Sequence, residues 1–444
     1  MRPITNPRAV ARSALCEYEW PTHPPASRLG LFARNPMPTS EIPVRRGREF
    51  LQLPGPTNIP ERVLRAMCRS AIDFNGPEYA RIKAECCEGL KAVFKTADLA
   101  PIYTASGHGA WEAALVNVCS PGERILMPET GNFSSGWKRM AESFGIVVDY
   151  LPGDCRRGLD PAAVEARLAE DRAHAIKAVA VVHTETATGV HNDVAAVRRA
   201  MDAARHPALL LVDAIASLAI ADFRMDEWGV DVAIAAGQKG LMLPPGMSFT
   251  CINEKARAAA DASTSYRNYW DWRERLPDRN TITFCGTTPE HQLFGLQESL
   301  RMLFEEGLDA VFARHARLAG AVRAAVRAWG GAGGGPELYC LDESRGANAV
   351  TTVLMPEGHD PVALRRLCRD RFGVALGMGL RDLAATTFRI GHLGDVNEPM
   401  VLGALATAEL GFATLGVPHA AGGVLAAVTA LAEAAGGEAR GRAA

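Results

Sequence analysis

Lys239 stands just past a short apolar run, Asp231-Val-Ala-Ile-Ala-Ala-Gly-Gln-Lys239, and Asp213 closes another, Ala208-Leu-Leu-Leu-Val-Asp213. Apolar runs that stop abruptly in polar residues read as parallel strands buried on both faces, with their C-terminal ends opening onto a site. Open α/β sheets keep their ligands at such ends. Taken alone, a lysine there reads equally as a structural cation or as a point charge for an anion. A third stretch changes that balance. Thr104-Ala-Ser-Gly-His-Gly-Ala-Trp-Glu-Ala-Ala114 passes at once from small residues to good helix formers. That pattern describes a loop feeding a helix N-terminus, where free N–H groups and the helix dipole hold a phosphate. Ordinary N-capping by Ser106 accounts for the same loop.

An amine, an acid and a phosphate cradle are what a pyridoxal phosphate enzyme requires: a lysine for the Schiff base, a carboxylate on the pyridine nitrogen, and an anion site. The stretch 208–246 resembles the cofactor segment of class V aminotransferases. Within that family it is most similar to the alanine, serine or aspartate to glyoxylate branch, and the resemblance runs from about Leu53 to about Leu415. It implies a fold-type I pyridoxal phosphate-dependent transferase, an α/β protein whose large domain has a mostly parallel central sheet, with a smaller C-terminal α/β domain.

The resemblance also implies roles. Lys239 would hold pyridoxal 5'-phosphate and move a proton from the substrate Cα, while Asp213 keeps the ring nitrogen protonated. Ser106, Gly107 and His108 would cradle the phosphate, with Gln238 also a cofactor residue. Phe133, in Glu129-Thr-Gly-Asn-Phe-Ser-Ser-Gly136, stands where relatives lay an aromatic ring on the pyridine, although a core phenylalanine would look the same. In His183-Thr-Glu-Thr-Ala-Thr-Gly-Val190, Thr186 matches the hydroxyl that reaches the phenolic oxygen; Glu185 reads as readily as a partner of backbone groups as a catalyst. Thr287 matches a threonine that reaches the neighbouring subunit's phosphate. Arg389, in Phe388-Arg-Ile-Gly-His-Leu-Gly394, matches the substrate carboxylate handle, a task suited to a guanidinium's paired hydrogen bonds. Ser217 is placed with it on the substrate side, and His392 reads as a packing or hydrogen-bonding residue.

The implied reaction moves an amino group from a small amino acid (serine, alanine or aspartate) to glyoxylate or a similar 2-oxo acid, giving glycine. Phe74-Asn75 replaces the His-Arg that many relatives carry, Phe284 stands where some have tyrosine, and Trp270-Asp271-Trp272 is unusual. These departures leave open transamination of an unusual amine such as ureidoglycine or pyridoxamine. A lyase or desulfurase on the same fold would want a distinct base or a mobile cysteine, and neither motif is present. A regulator built on the fold would carry a DNA-binding module, for which the first 46 residues are too short and proline-rich.

Composition agrees with a soluble enzyme. The chain of 444 residues is 48% apolar and 22% charged, with a net charge of -2, so nothing attracts nucleic acid or an anionic membrane. Its ten cysteines form no CxxC pair and no cluster with histidine, which argues for a reducing, cytoplasmic setting and against a disulfide framework or a metal site. No apolar run is long enough to span a bilayer. The expected organisation is a loose extension over 1–46, a large cofactor domain over 47–306, a small domain over 307–435 and a frayed tail over 436–444. The extension, rich in Arg and Pro, lacks a secretory signal's apolar stretch and suits neither transit peptide nor helix. It packs on a partner subunit in this reading, or translation begins at Met37. A homodimer with sites at the seam is expected.

The spacing of apolar residues predicts helices over 61–70, 79–95, 194–204, 290–306, 307–330, 361–371 and 397–416. Strands are predicted at 102–103, 124–127, 178–182, 247–253, 349–354 and 388–390, besides those ending near Asp213 and Lys239. The excursion 266–278 is expected to line the site entrance or the dimer seam.

Overall fold

Seven short strands, in which apolar residues predominate, build the larger sheet. Their spatial order is Ile102–Tyr103, Ser248–Ile252, Val232–Ala236, Leu209–Asp213, Ile176–Val182, Arg124–Pro128 and Val147–Leu151. Ser248–Ile252 pairs antiparallel with both of its neighbours, and the remaining pairs are parallel. Every residue of Leu209–Asp213 and Val232–Ala236 is buried, as a strand covered on both faces requires. This computed structural model describes residues 47–278, 281–331 and 333–443. The expected extension over 1–46, Met37 included, lies outside the described residues.

Residues Gly47–Ala444 form one unit carrying a second, five-stranded sheet. Its order is Phe50–Gln52, Val374–Met378, Thr387–Gly391, Val350–Leu354 and Glu337–Leu338. Phe50–Gln52, from the N-terminal segment expected with the large domain, is an edge strand of this sheet. Phe50 and Gln52 pair in parallel register with Val374 and Leu376, and the Gln52 amide donates to the Gly391 carbonyl at 2.5 Å. Gly307, the first residue of the expected small domain, separates the helices Glu290–Glu306 and Leu308–Gly330 at φ +86°.

The last helix, Gly423–Ala443, buries Ala427 and Leu431 in the core of the second sheet, and its final turns fall in the expected tail. Gly423 is required at its start, because a Cβ there would lie 2.0 Å from the Trp329 indole nitrogen. No helix among the described residues is long and apolar enough to cross a membrane. The nine described cysteines are free thiols.

Candidate active site

Parallel strands deliver their next residues to one edge of the larger sheet, and the site is built there. Asp213 is the last residue of Leu209–Asp213, Lys239 follows Val232–Ala236, and Thr184 and Thr186 follow Ile176–Val182. Phe133 is the second residue of the helix Asn132–Ser143, which follows Arg124–Pro128. Ser106, Gly107, His108, Phe133, Thr186, Asp213, Gln238 and Lys239 all line a single cleft of about 200 Å³. These eight residues are the ones expected from sequence to meet the cofactor in this protomer, and the fold brings them to one cleft.

Asp213 is buried, and each of its carboxylate oxygens accepts one hydrogen bond. One carboxylate oxygen accepts the Trp111 indole N–H at 3.0 Å and the other accepts the Ile215 backbone N–H at 2.8 Å. Burial pushes its carboxyl up to about 6, against the pull of those two donors and the charge of Lys239. The same burial, with the Arg389 charge nearby, pushes the Lys239 amine down to about 8.

Pro54-Gly55-Pro56 folds over the lysine. The Lys239 amine donates to the Pro54 carbonyl, and Thr57 N–H donates to the Gln238 carbonyl at 3.2 Å. Gly55 has φ +115°, and a Cβ there would sit 2.5 Å from Lys239 Nζ. Gly55→Ala is accordingly expected to displace the amine, a flexible chain end, rather than to unfold the protein. We expect kcat/KM to fall by about 10²-fold, as for a misplaced reacting group. Steady-state kinetics beside a thermal melt checks this, and near wild-type turnover would contradict it.

The helix start at Ser106-Gly107 in the cleft wall suits an anion. Ser106 is extended and its hydroxyl does not cap the helix Gly107–Val118, so the first N–H groups remain available. Gly107 allows close packing there, since a Cβ would lie 2.5 Å from the Ile215 side chain. Gln238 Oε1 is buried without a hydrogen-bond partner.

Arg389 lies just behind the wall. Its Nε donates to the Met378 carbonyl at 2.6 Å and one terminal nitrogen donates to the Thr186 carbonyl at 2.9 Å. Burial pushes the guanidinium down to about 10, so it stays charged at neutral pH. Glu185 turns away from the cleft. One of its oxygens accepts the Phe133 N–H at 2.8 Å and the Ser134 N–H at 3.4 Å, and the other accepts the Ala187 N–H at 3.0 Å. Of the two readings open from sequence, the backbone partner is the one found: the carboxylate caps the helix that carries Phe133. Glu185→Gln would turn an amide N–H₂ toward one of those N–H donors. A loss of about 1–3 kcal/mol of stability is expected in urea unfolding, and unchanged stability would contradict the cap.

Other expected residues lie elsewhere. Ser217 is corrected: it is fully buried and away from the cleft, its hydroxyl 2.8 Å from His183 Nδ1 and 3.3 Å from the Ala214 carbonyl. Thr287 is exposed and does not line this protomer's cleft. Phe74 is 53% exposed and outside it. Trp270 and Trp272 do not line the entrance. Their indole nitrogens donate inward, to Glu112 at 2.9 Å and to the Tyr103 hydroxyl at 2.8 Å. His392 is buried between Thr351 and the Asn348 carbonyl, as a packing residue.

Seven wall residues were not named as site residues from sequence: Gly55, Pro56, Trp111, Thr184, Ile215, Ala216 and Pro245. Two of them carried a signal. Trp111 falls three residues after His108, hence on the same helix face, and Thr184 falls two before Thr186, hence on the same side of an extended segment. No group of His, Cys, Asp and Glu among the described residues is placed to hold a metal ion.

The family model for class V aminotransferases matches residues 50–381. The chain belongs to that family. This aminotransferase is 42% identical over 389 residues to the serine–glyoxylate aminotransferase of Arabidopsis thaliana, covering 87% of the present chain and 96% of the relative. It is 40% identical over 378 residues to the L-aspartate–glyoxylate aminotransferase of Paracoccus denitrificans, covering 84% and 94%. Among solved structures, the ureidoglycine–glyoxylate aminotransferase of Bacillus subtilis superposes with a TM-score of 0.79 at 28% identity, covering 87% of this chain and 99% of that one. The fold is thus that of the fold-type I aminotransferases, with a mixed larger sheet that is mostly parallel.

Proposed function

We propose that this aminotransferase moves an amino group from serine, alanine or aspartate to glyoxylate or a similar 2-oxo acid, giving glycine, with pyridoxal 5'-phosphate as its cofactor. The observation that carries the reading is that Lys239, Asp213 and the uncapped helix start at Ser106-Gly107-His108 open into one cleft. Relatives named for serine and aspartate with glyoxylate, at 40–42% identity over most of the chain, support the substrate class.

The residues present fit the cofactor. The N–H groups of Gly107 and His108 would hold its phosphate, Phe133 offers a ring face, and Asp213 a carboxylate for the ring nitrogen. When bound, pyridoxal phosphate supplies an electron sink for charge left at the substrate Cα. Asp213 holds a proton on the ring nitrogen. Lys239, with its amine pushed down to about 8, has an appreciable neutral fraction near neutral pH and can take the Cα proton and return it. The Pro54 carbonyl orients that amine. Arg389, held by two backbone carbonyls, would turn its remaining N–H groups to the substrate carboxylate.

In this reading the five-stranded sheet and its helices serve as the small domain. The working form is a cytoplasmic homodimer in which Thr287 reaches toward the neighbouring subunit's phosphate. Glycine formation from glyoxylate with a panel of donors tests the function. Serine, alanine or aspartate should support it. Failure of all three, with turnover of ureidoglycine or pyridoxamine, would replace this reading with the unusual-amine alternative.

A further inference from the structure

Trp111 has no part in the chemistry above, yet it touches three of the groups that would meet the cofactor. The indole is 1% exposed, with part of it in the cleft wall. Its N–H is one of the two donors on Asp213, at 3.0 Å. Its ring lies 4.6 Å from the His108 ring, tilted by 49°, and meets Phe133 edge-to-face at 6.1 Å. Behind it Trp137 is stacked at 5.8 Å, nearly parallel at 19°, so the indole has no room to turn.

We propose that Trp111 is a positioning residue for the whole cofactor site: its N–H fixes the orientation and charge of Asp213, while its ring braces Phe133 and His108. The claim rests on the cofactor reading given above. Losing the indole N–H would leave a buried carboxylate with only the Ile215 N–H, and hydrogen bonds to the charged form are what keep such a group ionised. The other charges acting on Asp213 are Lys239, which favours the ionised form, and the buried carboxylate of Glu185, which opposes it. Phenylalanine would keep the ring but lose the donor, and leucine would lose both. The two roles can therefore be separated.

The test uses Trp111→Phe and Trp111→Leu. In cofactor-free protein, the Asp213 carboxyl is followed by carbon-13 NMR through a pH titration, with Asp213→Asn for assignment. Trp111→Phe should raise its midpoint by about one unit. After addition of pyridoxal 5'-phosphate, Trp111→Phe should lower kcat about tenfold, the size of one hydrogen bond to a charged group, with cofactor Kd changed less than about threefold. Trp111→Leu should also raise that Kd by more than about tenfold, because the ring contacts go too. An unmoved midpoint with unchanged kcat in a folded Trp111→Phe protein would overturn the proposal. If that variant does not fold, the wild-type Trp111 Nε1–H resonance replaces it: it must shift with the Asp213 midpoint, and a pH-independent signal overturns the link. Wild-type protein that binds no pyridoxal phosphate would sink the cofactor reading alone, since the carboxyl titration would still judge Trp111.

Discussion

Lys239→Ala should leave a folded protein whose turnover falls by at least about 10⁴-fold, the range reached when one side chain serves as both covalent holder and proton carrier. The fold does not depend on this lysine. Its amine donates to one carbonyl, that of Pro54, and a charged amine in a buried cleft is costly to hold. The sign of that cost can be worked out. A lysine whose folded value is pushed from 10.5 down to about 8 destabilises the native state fully below pH 8, and the penalty fades as pH rises toward 10.5. At its upper limit the penalty is about 3 kcal/mol, reduced because the amine opens onto the cleft. The Ala variant should therefore match or exceed wild-type stability at pH 7, and its relative advantage should shrink above pH 8. Urea titrations at the two pH values read this directly. A variant that turns over within tenfold of wild type, or one that unfolds, would contradict the role.

Arg389→Lys should lower kcat/KM for glyoxylate and for the amino acid donor together, by about 1.5–3 kcal/mol, or roughly 10- to 150-fold. Glyoxylate offers little besides a carboxylate and an aldehyde, so one bidentate cation must supply most of its recognition. The structure makes the exchange with lysine severe. Arg389 spends Nε on the Met378 carbonyl and one terminal nitrogen on the Thr186 carbonyl, and it still has N–H groups for a ligand. A single ammonium cannot hold both carbonyls and present a fork. Both half-reactions suffer because donor and acceptor carboxylates occupy the same place in turn. Loss of only one, or wild-type efficiency in both with cofactor bound, would remove Arg389 from the substrate site. A donor lacking a carboxylate would then be favoured.

Much of the site was legible because its residues terminate apolar runs. Asp213 and Lys239 are marked by the change from apolar to polar at strand ends, and the phosphate loop by small residues before helix formers. Ser217 was not legible: the turn after Asp213 rotates it inward to His183, and a count along the chain does not reveal that rotation. Trp111 looked like any large apolar residue in a helix. Only its three-residue offset from His108 hinted that it faced the ligand side. In the fold, the central strands of the larger sheet could be read because Leu209–Asp213 and Val232–Ala236 are buried throughout, whereas the edge strand Val147–Leu151, with no buried residue, could not. Phe50–Gln52 and Val374–Met378 could not be read either, since one is three residues long and the other shows neither an unbroken apolar run nor regular alternation, and their pairing joins positions more than 300 residues apart. The helix Gly423–Ala443 was not among the helices expected from sequence, and only its end, from 436 on, was expected to fray. Its stability comes from the side chains it buries against the second core, Ala427 and Leu431.

The most direct measurement is to incubate the protein with pyridoxal 5'-phosphate, reduce it with borohydride and map the modified peptide by mass spectrometry. A single phosphopyridoxyl group on Lys239 is the expected result, abolished in Lys239→Ala. Modification of a different lysine, or a label scattered over surface lysines with Lys239 untouched, would contradict Lys239 as the centre of the site.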